Sequence, residues 1–195
     1  MITLDKNYWQ ERWEEGQTGW DIGYPSTPLV NYFDKLEQKD QKILIPGAGN
    51  AYEGEYLHKH GFKNTYILDI APGAIESLKL RFPEVPEDRI IQGDFFEIEG
   101  QFDLVIEQTF FCALHPSMRS SYVDKMLELL KPGGILAGLL FHAELFHDHP
   151  PFGGFKEDYL PLFKNKFEIL NFDIAADSIK PRRERELFIE LRKPN

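Results

Sequence analysis

Apolar residues fall along this chain in short unbroken runs separated by stretches with helical spacing, the pattern of parallel strands alternating with helices. Ile43, Leu44 and Ile45 form one run, Thr65 to Leu68 a second, Ile90 and Ile91 a third, Phe102 to Ile106 a fourth, and Ile135 with Leu136 a fifth. Runs without a polar alternate are expected of strands covered on both faces. Between them, Pro72 opens a helix that carries Ile75, Leu78 and Phe82 on one face. Ahead of the first run, a helix over Lys6 to Glu15 is stopped by Gly16, and a second helix is expected around Leu29 to Leu36. Phe167 to Phe172 and Leu187 to Leu191 read as two final strands. The predicted fold is therefore α/β: a doubly wound, mostly parallel seven-stranded sheet. One domain over 1–195 is expected, with 1–40 as an N-terminal helical lid and 41–195 as the sheet core.

The first strand leads into chemistry. Pro46 ends it, and Gly47 and Gly49 follow in a turn that feeds a helix ending near Lys59, His60 and Gly61. Glycines allow the backbone to turn sharply and approach a ligand, and the next helix aims its first N–H groups at it. The same pattern also makes an ordinary βα turn. Asp69, at the end of the second strand, follows Gly47 by 22 residues, near the ~20-residue offset of a ribose-binding acid in nucleotide folds. Asn50, Ala51 and Tyr52 occupy the place where a dinucleotide fingerprint carries its third glycine. A nucleoside without phosphates is thus preferred to a pyrophosphate, and S-adenosyl-L-methionine is the common one. One strand on, Asp94 and Phe95 suit an adenine edge, the carboxylate accepting from the amine and the ring giving an apolar contact. Asp94 could equally cap a turn. The fourth strand delivers Glu107 and Gln108 to the same edge, and Lys131-Pro132-Gly133-Gly134 reads as a tight turn before the fifth.

This series resembles the class I S-adenosylmethionine-dependent methyltransferases. The N-terminal segment Trp9-Gln10-Glu11-Arg12-Trp13-Glu14-Glu15-Gly16-Gln17-Thr18-Gly19-Trp20-Asp21 resembles the thiopurine S-methyltransferase family, and within it the branch that includes the plant thiol and halide methyltransferases. Thr109-Phe110-Phe111-Cys112-Ala113-Leu114 and His149-Pro150-Pro151-Phe152 agree with that branch. The resemblance spans nearly the whole chain. It implies a Rossmann-like sheet with a closing antiparallel strand pair at one edge, S-adenosyl-L-methionine as methyl donor and S-adenosyl-L-homocysteine as product. It implies cofactor contacts from Trp9, Trp13, Trp20, Gly47, Gly49, Asp69, Asp94, Phe95 and Gln108, and an acceptor wall of Trp20, Phe110, Phe111 and Phe152. Thiopurine enzymes place an arginine where Gln108 stands. Trp9 and Trp13, four apart, would share one helix face and could also be a core-facing stripe.

Composition changes little in this picture: hydrophobic residues make up 42% and charged residues 28% of 195. The formal net charge of −10 disfavours a nucleic-acid partner, whose phosphates are met by clustered Lys and Arg. Lys180, Arg182, Arg183 and Arg185 are interrupted by Glu184 and Glu186 and read as a solvated hairpin. A single cysteine, no charged leader before an apolar core and no bilayer-length apolar run lead to the expectation of a cytoplasmic protein without a membrane partner. His142, His147 and His149 are too loosely spaced to predict a metal site, and Cys112 sits among apolar neighbours as a packing residue.

No acid, base or nucleophile stands out, and a sulfonium methyl needs alignment and exclusion of water more than proton transfer. The expected acceptor is a small molecule: a thiol, a thiopurine-like sulfur, or a halide or thiocyanate. Two other readings compete, a nicotinamide-dependent oxidoreductase and a non-catalytic S-adenosylmethionine-binding module.

Overall fold

The sheet's strand order is β3-β2-β1-β4-β5-β7-β6, in a computed structural model that describes residues 3–195. β1 (Ile43–Pro46) lies in its interior, flanked by β2 (Thr65–Asp69) and β4 (Phe102–Gln108), with β3 (Ile90–Gln92) outside β2. The chain winds outward from β1 to β3 and then returns to the other side of β1. That reversal opens a crevice at the carboxyl ends of β1 and β4, where open α/β sheets take their ligands.

The continuous apolar runs have the physical origin expected of them. In β1, Leu44 packs into one core layer with Val105 and Leu136, while Ile43 and Ile45 face the other with Leu104, Ile106 and Leu139. Side chains alternate along a strand, so a strand with two covered faces must be apolar throughout. α5 (Arg119–Leu129) and α6 (Lys156–Phe163) seal the first layer through Tyr122, Met126, Tyr159 and Phe163; α2 (Thr27–Phe33) and α3 (Tyr52–Lys59) seal the second through Leu29, Phe33 and Leu57. Leu44 is wholly buried, and its truncation to Ala would cost about 2–5 kcal/mol.

Several boundaries differ from the sequence reading. α2 starts two residues earlier than expected and stops at Phe33, and Phe82 caps α4 (Pro72–Arg81) while remaining buried. Lys131 to Gly134 make no separate turn. β5 (Leu130–Phe141) follows α5 directly and carries them as a bulge, with Phe102 opposite Leu130 and Leu104 already opposite Ile135. Gly133 takes φ +76° there. β7 (Glu186–Arg192) pairs antiparallel with both β5 and β6 (Glu168–Ile174). It enters between them and sets the sheet edge that the resemblance implied.

α1 (Lys6–Glu14) starts at Asp5, whose carboxylate accepts from the N–H groups of Asn7 and Tyr8 at 3.0 Å. No residue of α1 is fully buried, so its tryptophans do not form a core stripe. The helix lies against α4, where Gln10 Oε1 accepts from Gly73 N at 2.8 Å. A Cβ on Gly73 would stand 2.8 Å from Trp13 Cβ; the missing side chain lets α1 approach and turn its indoles to the crevice.

Candidate functional site

A cavity of about 760 Å³ fills the crevice. The β1–α3 turn, the end of β2, the loop after β4, α1 with the following loop, the β5–α6 connection and the β6–β7 connection all reach it. Its lining includes Gly47, Gly49, Asp69 and Ile70 from the β1–α3 turn and the end of β2, and Leu114, Phe141, Phe146, His149, Pro151, Arg182 and Arg185 from the later connections.

Gly47 and Gly49 adopt φ +57° and +54°, a region nearly closed to side chains. Asp69 is 8% exposed. One of its oxygens accepts from Gly49 N at 2.8 Å and the other from Ala71 N at 2.9 Å. Burial raises its pKa, while the amides of Ala71, Gly49 and Ile70 oppose the rise. A carboxylate offers about four acceptor positions, so room remains on both oxygens for the hydroxyls of a diol.

Aromatic rings roof this part of the cavity. Trp20 meets Trp9 edge-on at 5.8 Å and Trp13 at 6.2 Å. Asp21, next to Trp20, ties the loop to the β1–α3 turn by accepting from Asn50 Nδ2 at 2.5 Å and Tyr52 Oη at 3.3 Å. Phe110 packs directly on Gly47.

Glu107, which the sequence brings to the carboxyl edge of the sheet, is turned beneath the loop that follows β4. It is 0% exposed and accepts from Phe110 N at 2.7 Å, Phe111 N at 2.9 Å and Tyr122 Oη at 2.6 Å. The carboxylate thereby fixes the turn that carries Phe110. Burial pushes its pKa up to about 7 against the pull of these donors.

The basic cluster also requires correction. Lys180 and Arg183 are exposed, but the Lys180–Arg182 turn folds Arg182 inward, leaving its side chain 11% exposed. Arg182 donates to the Trp20 carbonyl at 3.0 Å and to Glu186 Oε1 at 3.2 Å. Arg185 is exposed yet lines the cavity, as does Arg12 of α1. The solvated reading holds for Lys180, Arg183 and Arg185 and fails at Arg182, which a tertiary contact with the loop after α1, invisible in local sequence, draws inward.

Of the residues singled out beforehand, the cavity brings together Trp9, Trp13, Trp20, Gly47, Gly49, Asp69 and Phe110. Gln108 lines a separate small cavity of about 40 Å³ behind the glycine turn, and its buried Oε1 has no hydrogen-bond partner. Asp94 and Phe95 do not line the main cavity: Asp94 caps its own turn by accepting from Phe96 N at 2.8 Å, and Phe95 is buried against Phe110 and Tyr122. Phe111 and Phe152 are no part of its lining either. Phe111 is 2% exposed between Tyr122 and Tyr159, and Phe152 packs in the interior beside His115. The His142–Phe155 stretch contributes Leu145, Phe146, His149, Pro150 and Pro151 instead. Cys112 lines the cavity with its thiol donating to the Thr109 carbonyl at 3.1 Å, and burial raises its pKa.

A family model described as thiopurine S-methyltransferase matches residues 4–191. The chain belongs to the thiopurine S-methyltransferase family. It is accordingly an enzyme of the S-adenosylmethionine-dependent methyltransferase class. It is 29% identical to a probable thiol methyltransferase 2 of Arabidopsis thaliana over 177 residues, covering 86% of this chain and 78% of that one. It is 28% identical to thiocyanate methyltransferase 1 of Brassica oleracea, covering 77% and 68%. The fold matches a Burkholderia thailandensis 1,6-didemethyltoxoflavin N1-methyltransferase solved with S-adenosylhomocysteine, at TM-score 0.72, 16% identity and coverage of 97% and 87%.

Among the described residues no helix is long and apolar enough to cross a membrane, and no group of three His, Cys, Asp or Glu side chains could hold a metal ion. The three loop histidines are dispersed. His142 Nδ1 accepts from Lys156 N at 3.1 Å, His147 points outward near Glu144, and His149 faces the cavity.

Proposed function

We propose that this methyltransferase acts on a small sulfur or halide acceptor, with thiols, hydrosulfide, iodide and thiocyanate as the class. The observation that carries this reading is the lining of the main cavity, which joins a buried carboxylate and a glycine turn to apolar side chains and the guanidinium groups of Arg12, Arg182 and Arg185. S-Adenosylmethionine supplies, when bound, a methyl group already activated by its sulfonium charge. The residues fit it. Asp69 keeps free acceptor positions for the ribose hydroxyls, and the Gly47–Gly49 turn admits the methionine portion. The unpartnered Gln108 Oε1 behind that turn suits a donor such as the α-ammonium group. Asp94 and Phe95, one strand from Asp69, remain our assignment for the adenine edge. Trp9, Trp13 and Trp20 would cover the cofactor, with indole faces that favour a nearby cation.

In the lining, Arg182 and Arg185 raise the local concentration of anions. Leu114 and Phe146 strip water from a soft nucleophile, which increases its reactivity. Both effects favour acceptors that are anionic and polarisable.

The test is a two-part measurement. Calorimetry should show binding of S-adenosylhomocysteine and not of NAD, and a labelled-methyl assay should show transfer to at least one of an alkyl thiol, iodide or thiocyanate. Binding of NAD would favour an oxidoreductase, and cofactor binding without turnover of any acceptor would favour a binding module. Turnover of a catechol alone, and only with added Mg²⁺, would overturn the acceptor class.

A further inference from the structure

We propose that His149 is a catalytic residue of this enzyme, the base that receives the proton of a neutral thiol acceptor. The proposal rests on the acceptor class proposed above and deepens it, because halides and thiocyanate carry no proton and a thiol at neutral pH does.

His149 lines the cavity from the loop between β5 and α6. Its ring is braced by Phe146, with centroids 4.1 Å apart and planes inclined by 34°. Nδ1 stands 2.9 Å from the Pro150 carbonyl oxygen. A carbonyl can only accept, so Nδ1 carries the hydrogen and Nε2 is left with its lone pair free. The nearest carboxylate, Asp148 Oδ1, is 3.8 Å from Nε2 and too far for a hydrogen bond. The side chain is 40% exposed, which gives an acquired proton a route to water.

The other ionisable groups of the lining are unsuited to the task. Arg12 from α1 and Arg182 and Arg185 from the β6–β7 connection are cations. Asp69 has both oxygens engaged by backbone amides. Cys112 is a buried thiol already donating to a carbonyl, and Tyr8 is a phenol, an acid before it is a base. Among the described lining residues, His149 supplies the one imidazole, a ring with two nitrogens of which one can accept a proton.

In the step, the acceptor S–H bond breaks with its electron pair staying on sulfur, and the proton passes to Nε2. The thiolate, held near Arg182 and Arg185, forms an S–C bond to the methyl carbon. The old C–S bond breaks toward the cofactor sulfur, whose positive charge is cancelled. The imidazolium then returns its proton to water.

The experiment compares wild-type enzyme, His149→Gln and, as an exposed-histidine control, His147→Gln, with 2-mercaptoethanol and with iodide at pH 7. General-base contributions run to about 10²–10⁴-fold; here the thiol-to-iodide ratio of kcat/KM should fall at least about tenfold in His149→Gln. Two further readouts separate a base from a structural histidine. Imidazole in the buffer should restore thiol turnover to His149→Ala, and the ultraviolet thiolate band seen when the thiol binds wild-type enzyme with S-adenosylhomocysteine should be lost in His149→Gln. An unchanged ratio in a variant that melts like wild type would overturn the proposal, as would wild-type turnover of iodide with none of the thiol. If wild-type enzyme binds S-adenosylhomocysteine but turns over neither, the acceptor class itself falls.

Discussion

Phe110 Cδ2 lies 2.2 Å from the point where a Cβ on Gly47 would stand. The β1–α3 turn and the loop after β4 are thus fitted to each other through the absence of one side chain. Gly47→Ala should combine left-handed backbone strain of about 1–2 kcal/mol with displacement of the ring, typically about 1–3 kcal/mol. Thermal melts of Gly47→Ala, Phe110→Ala and the double variant form a cycle. We expect the double variant to be more stable than the sum of the single losses by about 1 kcal/mol or more; strict additivity would mean that the ring does not oppose the Cβ.

Asp69→Ala should weaken S-adenosylhomocysteine binding by about 1.5–3 kcal/mol, the range for hydrogen bonds to a charged acceptor. The fold should persist, since the side chain borders the cavity and water can reach the freed amides. Equal calorimetric affinity in a folded Asp69→Ala would remove this carboxylate from the ribose site.

Because α1 has no fully buried residue, Trp13→Ala should reduce methyl transfer far more than it lowers the melting temperature. Ligand binding should slow hydrogen exchange in residues 3–25. Identical exchange with and without S-adenosylhomocysteine would mean that α1 is a fixed wall, not a closing one.

Glu107 gives a pH signature. Its folded-state pKa of about 7 lies above the ordinary 4.5, so the folded protein holds this proton more tightly than the unfolded chain does. Its stabilising contribution is therefore full below pH 4.5 and is lost as pH rises through about 7. Glu107→Gln does not titrate. Between those limits the stability of wild type relative to Glu107→Gln should fall by on the order of 3 kcal/mol. Denaturant unfolding at pH 5 and pH 8 measures this, and a pH-independent difference would refute the assignment.

Arg182→Gln should raise KM for thiocyanate about tenfold, equivalent to about 1.4 kcal/mol, while leaving S-adenosylhomocysteine affinity less affected. Arg182 lines the cavity, and its bond to the Trp20 carbonyl is its link to the loop after α1. A larger effect on cofactor affinity than on KM would recast Arg182 as a lid anchor.

The sheet was legible from sequence because each strand satisfies two core layers at once, and Asp69 because the βαβ unit fixes its offset from Gly47. The adenine and acceptor assignments were harder. Phe111 and Phe152 look as much like cavity walls as Phe110 does, and only packing against Tyr122, Tyr159 and His115 draws them inward. Glu107 and Gln108 are adjacent at a strand end, yet alternation sends one under the loop and the other behind the glycine turn. Arg182 lies 162 residues from the carbonyl it holds, and no local pattern distinguishes such a residue from a solvated charge. His149 posed the same difficulty: one of three histidines in a loop, separated from the others by where the loop lies.

The insertion of β7 between β5 and β6 sets a timetable for the enzyme as it leaves the ribosome. Glu186–Arg192 is the last strand in chain order, yet it pairs along nearly its whole length on both sides. Until it emerges, the apolar β5 and the alternating β6 have backbone groups without their strand partner, the kind of edge that recruits other chains. Arg182 and Arg185 arrive with the same segment. A nascent chain can thus shape the Gly47–Asp69 part of the lining early, while the Arg182–Arg185 part and the protected sheet are completed together by the final strand.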